Sequence, residues 1–129
     1  MKLRLTLALV GLALISAPPL VTPAMADSPA TSAAIEYLLD YVARSDMEFV
    51  RNGKSHTPAE AVQHMRRKYE YYEKKINTAE DFIALAASKS MMSGKPYTVR
   101  INDGEILAAD WLTAALQSYR QDISTGTSP

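Results

Sequence analysis

Between Ser88 and Tyr97 the chain sets Ser90 and Ser93 among Lys89, Lys95 and Gly94, with Pro96 and Tyr97 closing the segment. Hydroxyls, ammonium groups and a glycine-adjacent backbone can cradle an anion or a carboxylate. A serine beside a desolvated lysine can also act as nucleophile and base. Ser93-Gly94-Lys95 echoes a phosphate loop, but Lys89 stands where that motif needs its first glycine and no Ser or Thr follows Lys95. A nucleotide loop is excluded. The chain also holds no Ser-x-x-Lys pair and no Gly-x-Ser-x-Gly elbow, the usual marks of acyl-enzyme chemistry.

Three further constellations have bland alternatives. His56, Glu60 and His64 are spaced by four, which on a continuous helix aligns two imidazoles and a carboxylate toward a metal. Pro58 breaks that alignment, because the residue before a proline leaves the helical region and puts His56 outside the helix. Glu60 and His64 then remain as a surface pair. Arg66, Arg67, Lys68, Lys74 and Lys75 alternate with Tyr69, Tyr71 and Tyr72, a pattern that suits a polyanion. Helical projection turns Tyr69 and Tyr72 inward and leaves a solvated charged face carrying Tyr71. Glu36 and Asp110 stand near expected helix starts, where the helix dipole favours an acid without catalysis. Met91 and Met92 read as gap fillers.

The elements that position these residues follow from periodicity. A helix is expected from Ser32 to about Arg44, with Ile35, Leu38, Leu39 and Val42 on one buried stripe. Met47 to Thr57 reads as a β-hairpin turning at Asn52-Gly53, with a polar, edge-like return strand. Thr57, Pro58 and Glu60 form a strong helix start, and Val62, Met65, Tyr69, Tyr72 and Ile76 share the inward face of the long helix that follows. Arg66 with Glu70 and Glu70 with Lys74 are spaced for ion pairs along it. Thr78 and Asp81 cap a short helix burying Phe82, Ile83 and Ala86. Tyr97, Val99 and Ile101 alternate as a strand, Asn102 to Gly104 turns, and Glu105 to Leu107 can pair back. A last helix, about Ala108 to Ile123, buries Trp111, Leu112, Ala115, Leu116 and Tyr119, and residues 124–129 form a disordered tail. The fold class is α+β, mainly helical: about four helices with one or two short hairpins in a small antiparallel sheet.

Residues 1–26 read as a cleavable export signal. Lys2 and Arg4 precede an apolar run from Leu5 to Ala17, prolines 18, 19 and 23 follow, and Ala24-Met25-Ala26 supplies a small-x-small cut site after Ala26. Cleavage leaves 12 basic and 14 acidic residues, a net charge of −2, so no global nucleic-acid footprint exists. No cysteine is present for a disulfide, a thiol nucleophile or a lipid anchor. Residues 27–34 then read as a flexible leader and helix start, and 35–123 as one globular domain.

Phe49 to Gly53 (FVRNG), Ala59 to Tyr69 (AEAVQHMRRKY), Lys75 to Phe82 (KINTAEDF), Ala87 to Tyr97 (ASKSMMSGKPY) and Asp110-Trp111-Leu112 together resemble the YfeK-like family. Those are short exported proteins of Gram-negative bacteria, grouped as a domain of unknown function. The resemblance covers about Ile35 to Arg120. It implies a periplasmic address and no activity, and it assigns no catalytic or binding residue. The expected function is a non-enzymatic module that binds an envelope component or a periplasmic protein through Ser90, Ser93, Gly94, Lys95, Tyr97, Arg51 and Asn52. A small hydrolase or transferase acting on cell-wall or lipid material, with Ser90 or Ser93 served by Lys89 or Lys95, is the alternative. No catalytic residue, cofactor, metal, nucleic acid or transmembrane segment after cleavage is expected.

Overall fold

A computed structural model describes residues 28–127. The expected export signal, residues 1–26, lies outside the described residues. Helix α1 (Pro29–Arg44) leads into strands β1 (Glu48–Arg51) and β2 (Lys54–His56), then helix α2 (Pro58–Tyr72), a 3-10 turn (Glu73–Lys75) and helix α3 (Ala79–Ala86). Strands β3 (Thr98–Ile101) and β4 (Gly104–Leu107) precede helix α4 (Ala108–Ser124). The four strands form one antiparallel sheet in the order β2-β1-β3-β4. Two hairpins 40-odd residues apart in the chain are thus joined edge to edge, with Phe49 opposite Val99 and Glu48 opposite Arg100. The mainly helical α+β class is the observed one. Among the described residues no helix is long and apolar enough to cross a membrane.

One core gathers the inward stripe of every helix and the inner face of the sheet: Ile35, Leu38 and Val42 of α1, Met65 of α2, Phe82 of α3, Leu112 and Leu116 of α4, and Phe49 with Val99. Strand alternation sends Glu48, Thr98 and Arg100 to the other face. There Arg100 of β3 bonds Glu48 of β1 (2.9 Å), Glu105 of β4 (3.1 Å) and Ser55 of β2 (3.3 Å), which ties all four strands through exposed polar groups. Around the rim of α1 and α4, Tyr37 stacks on Tyr119 (4.4 Å between centroids) and Tyr41 on Trp111 (4.7 Å). Trp111 and Tyr119 are therefore half-buried ring platforms rather than the core side chains their spacing predicts.

The capping signals are where the sequence places them. Thr57 accepts from Glu60 N while Glu60 accepts from Thr57 N, and Thr78 and Asp81 exchange the same pair. Three expectations need correction. Helix α1 begins before Ser32, because Ser28 Oγ accepts from Thr31 N (3.1 Å) and Pro29 takes the first helical position. What reads as leader in 29–34 is helix, with Ala34 in the core. At the other end Thr125 caps α4 through Gln121 O, so 124–127 are structured. The expected pairs of Arg66 with Glu70 and Glu70 with Lys74 do not form. Arg66 reaches across to Glu36 on α1 with two parallel bonds (3.0 and 2.9 Å), and the 3-10 turn carries Lys74 off the helix. A bidentate fork to another helix outcompetes a single contact along the same one.

Candidate functional site

The sheet and α2 assemble a polar chain that the core surrounds. On α2, Ala61, Met65 and Lys68 lie at steps of four and three and are buried, and His64 sits beside them half-buried. Arg51 ends β1 on the same face as Phe49. Tyr97 is fixed by its own backbone: its N–H donates to Ser88 O and its carbonyl accepts from Ala108 N, each 2.9 Å. With both ends pinned, its hydroxyl has one place to go. It lies 2.8 Å from His64 Nε2 and 3.4 Å from Lys68 Nζ.

Arg51 Nη1 is 2.7 Å from His64 Nδ1 and 3.3 Å from Nε2, so the guanidinium lies over the imidazole rather than along one lone pair. His64 is neutral: burial first, then the charges of Arg51 and Lys68, hold it down to about 4. The bond between His64 Nε2 and Tyr97 Oη takes its direction from the tautomer: Nε2–H donates to the phenol oxygen, or the phenol donates to an Nε2 lone pair. Lys68 Nζ donates to the same oxygen and to Lys89 O (2.7 Å). Tyr97 Oη thus accepts from Lys68 and shares a second bond with His64 Nε2. Burial keeps that phenol protonated, pushing its pKa above the usual value, and the same desolvation lowers Lys68.

The Ser88 to Tyr97 loop is folded against the first hairpin. Lys89 bridges Pro96, Ser90 N donates to Lys95 O (3.0 Å), and Gly94 N returns to Ser90 O (2.9 Å). Gly94 has φ +68°, the left-handed region that a side chain would strain. Asn52, at the hairpin turn, clasps the loop: its Nδ2 donates to Ser90 Oγ (3.3 Å) and its Oδ1 accepts from Ser93 Oγ (2.5 Å). A cavity of about 270 Å³ lies beneath, lined by Arg51, Asn52, His64, Lys68, Ser90 and Tyr97, with Met91 and Met92 at its mouth. Behind the Arg51–His64–Tyr97 wall a second cavity of about 260 Å³ opens between the hairpin and α2.

A model described as "Family of unknown function (DUF5329)" matches residues 29–120, from the start of α1 into α4. The chain belongs to that family. A curated relative, "Uncharacterized protein YfeK" of Salmonella typhimurium, is 44% identical over 80 residues, which is 60% of this chain and 67% of the relative. No solved structure matches the chain.

For this DUF5329 protein the sequence-predicted contact residues divide. Arg51, Asn52, Ser90 and Tyr97 line the loop cavity, and Ser93 joins them through Asn52. Gly94 and Lys95 do not line it. Lys95 edges a shallow groove on the outer sheet face, beside Thr98 and Arg100. Met91 and Met92 fill no gap: Met92 is 98% exposed, because the loop turns its polar Ser90 inward. Lys68 does not belong to a solvated face, being 6% exposed. Glu60 and His64 are not partners either. Glu60 Oε2 faces His56 Nδ1 at 3.8 Å, while His64 turns to Arg51. Among the described residues no group of three or more His, Cys, Asp or Glu is disposed to hold a metal. His64 and Lys68 are the residues that sequence reasoning missed. A polar residue at step three from Met65 on a buried stripe was the available signal.

Proposed function

We propose that this chain is an exported, non-enzymatic binding module of the Gram-negative periplasm, and that its contact surface is the face formed by the Ser88 to Tyr97 loop and the Asn52-Gly53 hairpin. The observation that carries the reading is the clasp. Asn52 spends both ends of its amide on Ser90 and Ser93, which holds two exposed methionines at the mouth of a preformed cavity whose wall includes Arg51 and Lys68. A preformed concave site with apolar lining and a few convergent polar groups is how ligand sites are built. Thioethers at the mouth suit an adaptable apolar contact. The relative from Salmonella typhimurium and the apolar run of residues 5–17 support the address.

The hydrolase alternative loses its lysine. Lys89 and Lys95 are exposed, and among the described residues no ammonium group bonds Ser90 or Ser93 Oγ. Lys68 is buried, but its ammonium is spent on Lys89 O and Tyr97 Oη.

Two measurements test the reading. Mature protein from a periplasmic fraction should begin at Asp27, and recovery of the uncut chain from the cytoplasm would sink the address. Met92→Asp and Lys95→Ala touch no buried contact, so each should leave the thermal midpoint unchanged. Each should also abolish in-cell crosslinking of an envelope species to a photoreactive group at Met91. Undiminished crosslinking in both variants would refute the loop face.

A further inference from the structure

Six arginines lie among the described residues, and four of them meet carboxylates: Arg44 with Asp40, Arg66 with Glu36, Arg100 with Glu48 and Glu105, and Arg120 with Glu80. The remaining two, Arg51 and Arg67, have no carboxylate within ion-pair distance among the described residues. Both line the cavity between the first hairpin and α2. A chain with as many acids as bases has left two guanidinium groups unneutralised at one place.

The rest of that cavity fits an anion with an apolar body. Phe49, Ala61 and Met65 supply hydrocarbon from the core edge. His56 Nε2 is buried at the wall and has no hydrogen-bond partner among the described residues, a vacancy that costs free energy unless something fills it. Arg51 Nη1 meets the His64 imidazole, and among the described residues its Nε and Nη2 have no hydrogen-bond partner. Tyr97 stands in the same wall. Glu60 is the one carboxylate of the lining, and its Oε2 is held by Thr57 N at 2.8 Å as part of the cap. At about 260 Å³ the space falls just below the roughly 300–1,000 Å³ of drug-sized sites, so the occupant is small.

We propose that the cavity between β1–β2 and α2 is a binding site for a small amphiphilic oxyanion, a carboxylate or phosphate head on an apolar body, held by Arg51 and Arg67 over Phe49 and Met65. This site is separate from the loop face: Arg51, His64 and Tyr97 form the wall between the two, and Arg67 belongs to this side alone.

The test titrates the full mature chain with octanoate, octyl phosphate, inorganic phosphate and octanol, following amide shifts and heats of binding. Octanoate or octyl phosphate should perturb the amides of Ala61, His64 and Met65 and bind at least about tenfold more tightly than octanol, because charge-assisted bonds are absent with the alcohol. Which head binds better distinguishes a fatty carboxylate from a phosphorylated ligand. Arg67 is exposed and its side chain makes no hydrogen bond among the described residues, so Arg67→Ala and Arg67→Glu should fold normally. Arg67→Ala should weaken the better ligand about tenfold, and Arg67→Glu should abolish it. Met92→Asp should leave it unchanged. Absence of binding by both amphiphiles overturns the proposal, as does octanol binding equally well. Inorganic phosphate matching octyl phosphate removes the apolar half and overturns it too. Sensitivity to Met92→Asp rather than to Arg67→Ala would move the anion to the loop face, ending this proposal while sparing the other.

Discussion

Tyr97→Phe should destabilise the protein by about 2–4 kcal/mol, far more than the loss of one hydroxyl at a surface position. The ring keeps its place, since the backbone bonds to Ser88 and Ala108 and the edge contact with His64 at 5.6 Å do not involve the oxygen. What disappears is the oxygen that accepts from Lys68 Nζ and bonds His64 Nε2. A buried polar group left without a partner costs about 1–3 kcal/mol, and here there are two, one of them charged. Lys68 keeps Lys89 O, which sets the upper limit. In a domain of this size the loss corresponds to a fall in thermal midpoint of roughly 10–20 °C. Adding Lys68→Met should recover part of it, because the buried ammonium, left with Lys89 O alone, is then replaced by a chain of similar shape. Urea unfolding of the wild type, both single variants and the double variant closes the cycle. A cost under about 0.5 kcal/mol for Tyr97→Phe would mean that water already serves these groups and that the chain through Tyr97 positions nothing.

Which parts of this structure were legible follows from the range of the forces involved. Helices α2 and α3 were readable at their starts because Thr57 with Glu60, and Thr78 with Asp81, satisfy their orphan donors within four residues. The first hairpin was readable at Asn52-Gly53, whose φ values of +52° and +75° only such residues accept readily. Pairing of β1 with β3 was not, since residues almost fifty positions apart meet there and nothing local encodes the register. The site depends on that pairing. It brings Tyr97 alongside β1 and opposite α2, and so gives His64 and Lys68 partners that no neighbour in sequence supplies. Composition of the loop marked Ser90 and Ser93, and the turn marked Asn52, but the bonds joining them cross about forty residues. Lys68 was misplaced because charge is a prior for exposure. The prior fails where a carbonyl such as Lys89 O waits inside.

Stability should fall as the pH drops from 6.5 toward 4, and His64 should be the cause. Its folded pKa is depressed from 6.5 to about 4 by burial and by the charges of Arg51 and Lys68. Above 6.5 the imidazole is neutral in both the folded and unfolded chain and contributes nothing. Below 6.5 the unfolded chain takes up a proton that the folded chain refuses, so unfolding is favoured progressively until the folded group also titrates near 4. His64 is only half-buried, so solvent screening reduces the full effect to about 1–2 kcal/mol, more than half of it lost by pH 5. Carboxylates act in a lower window. Glu36 and Glu80, held below the usual 4.5 by hydrogen bonds from Arg66 and Arg120, give stability that is lost as pH falls below about 4.5. His64→Gln separates the two, because a glutamine amide can accept from Arg51 and donate to Tyr97 but does not titrate. Urea midpoints measured at pH 7.5, 6 and 5 should decline for the wild type and stay nearly level for His64→Gln. Parallel decline in both proteins would assign the loss elsewhere. Protonation also sets an imidazolium 2.7 Å from Arg51 Nη1, so the acid that destabilises the fold also repels this guanidinium from the wall between the two cavities.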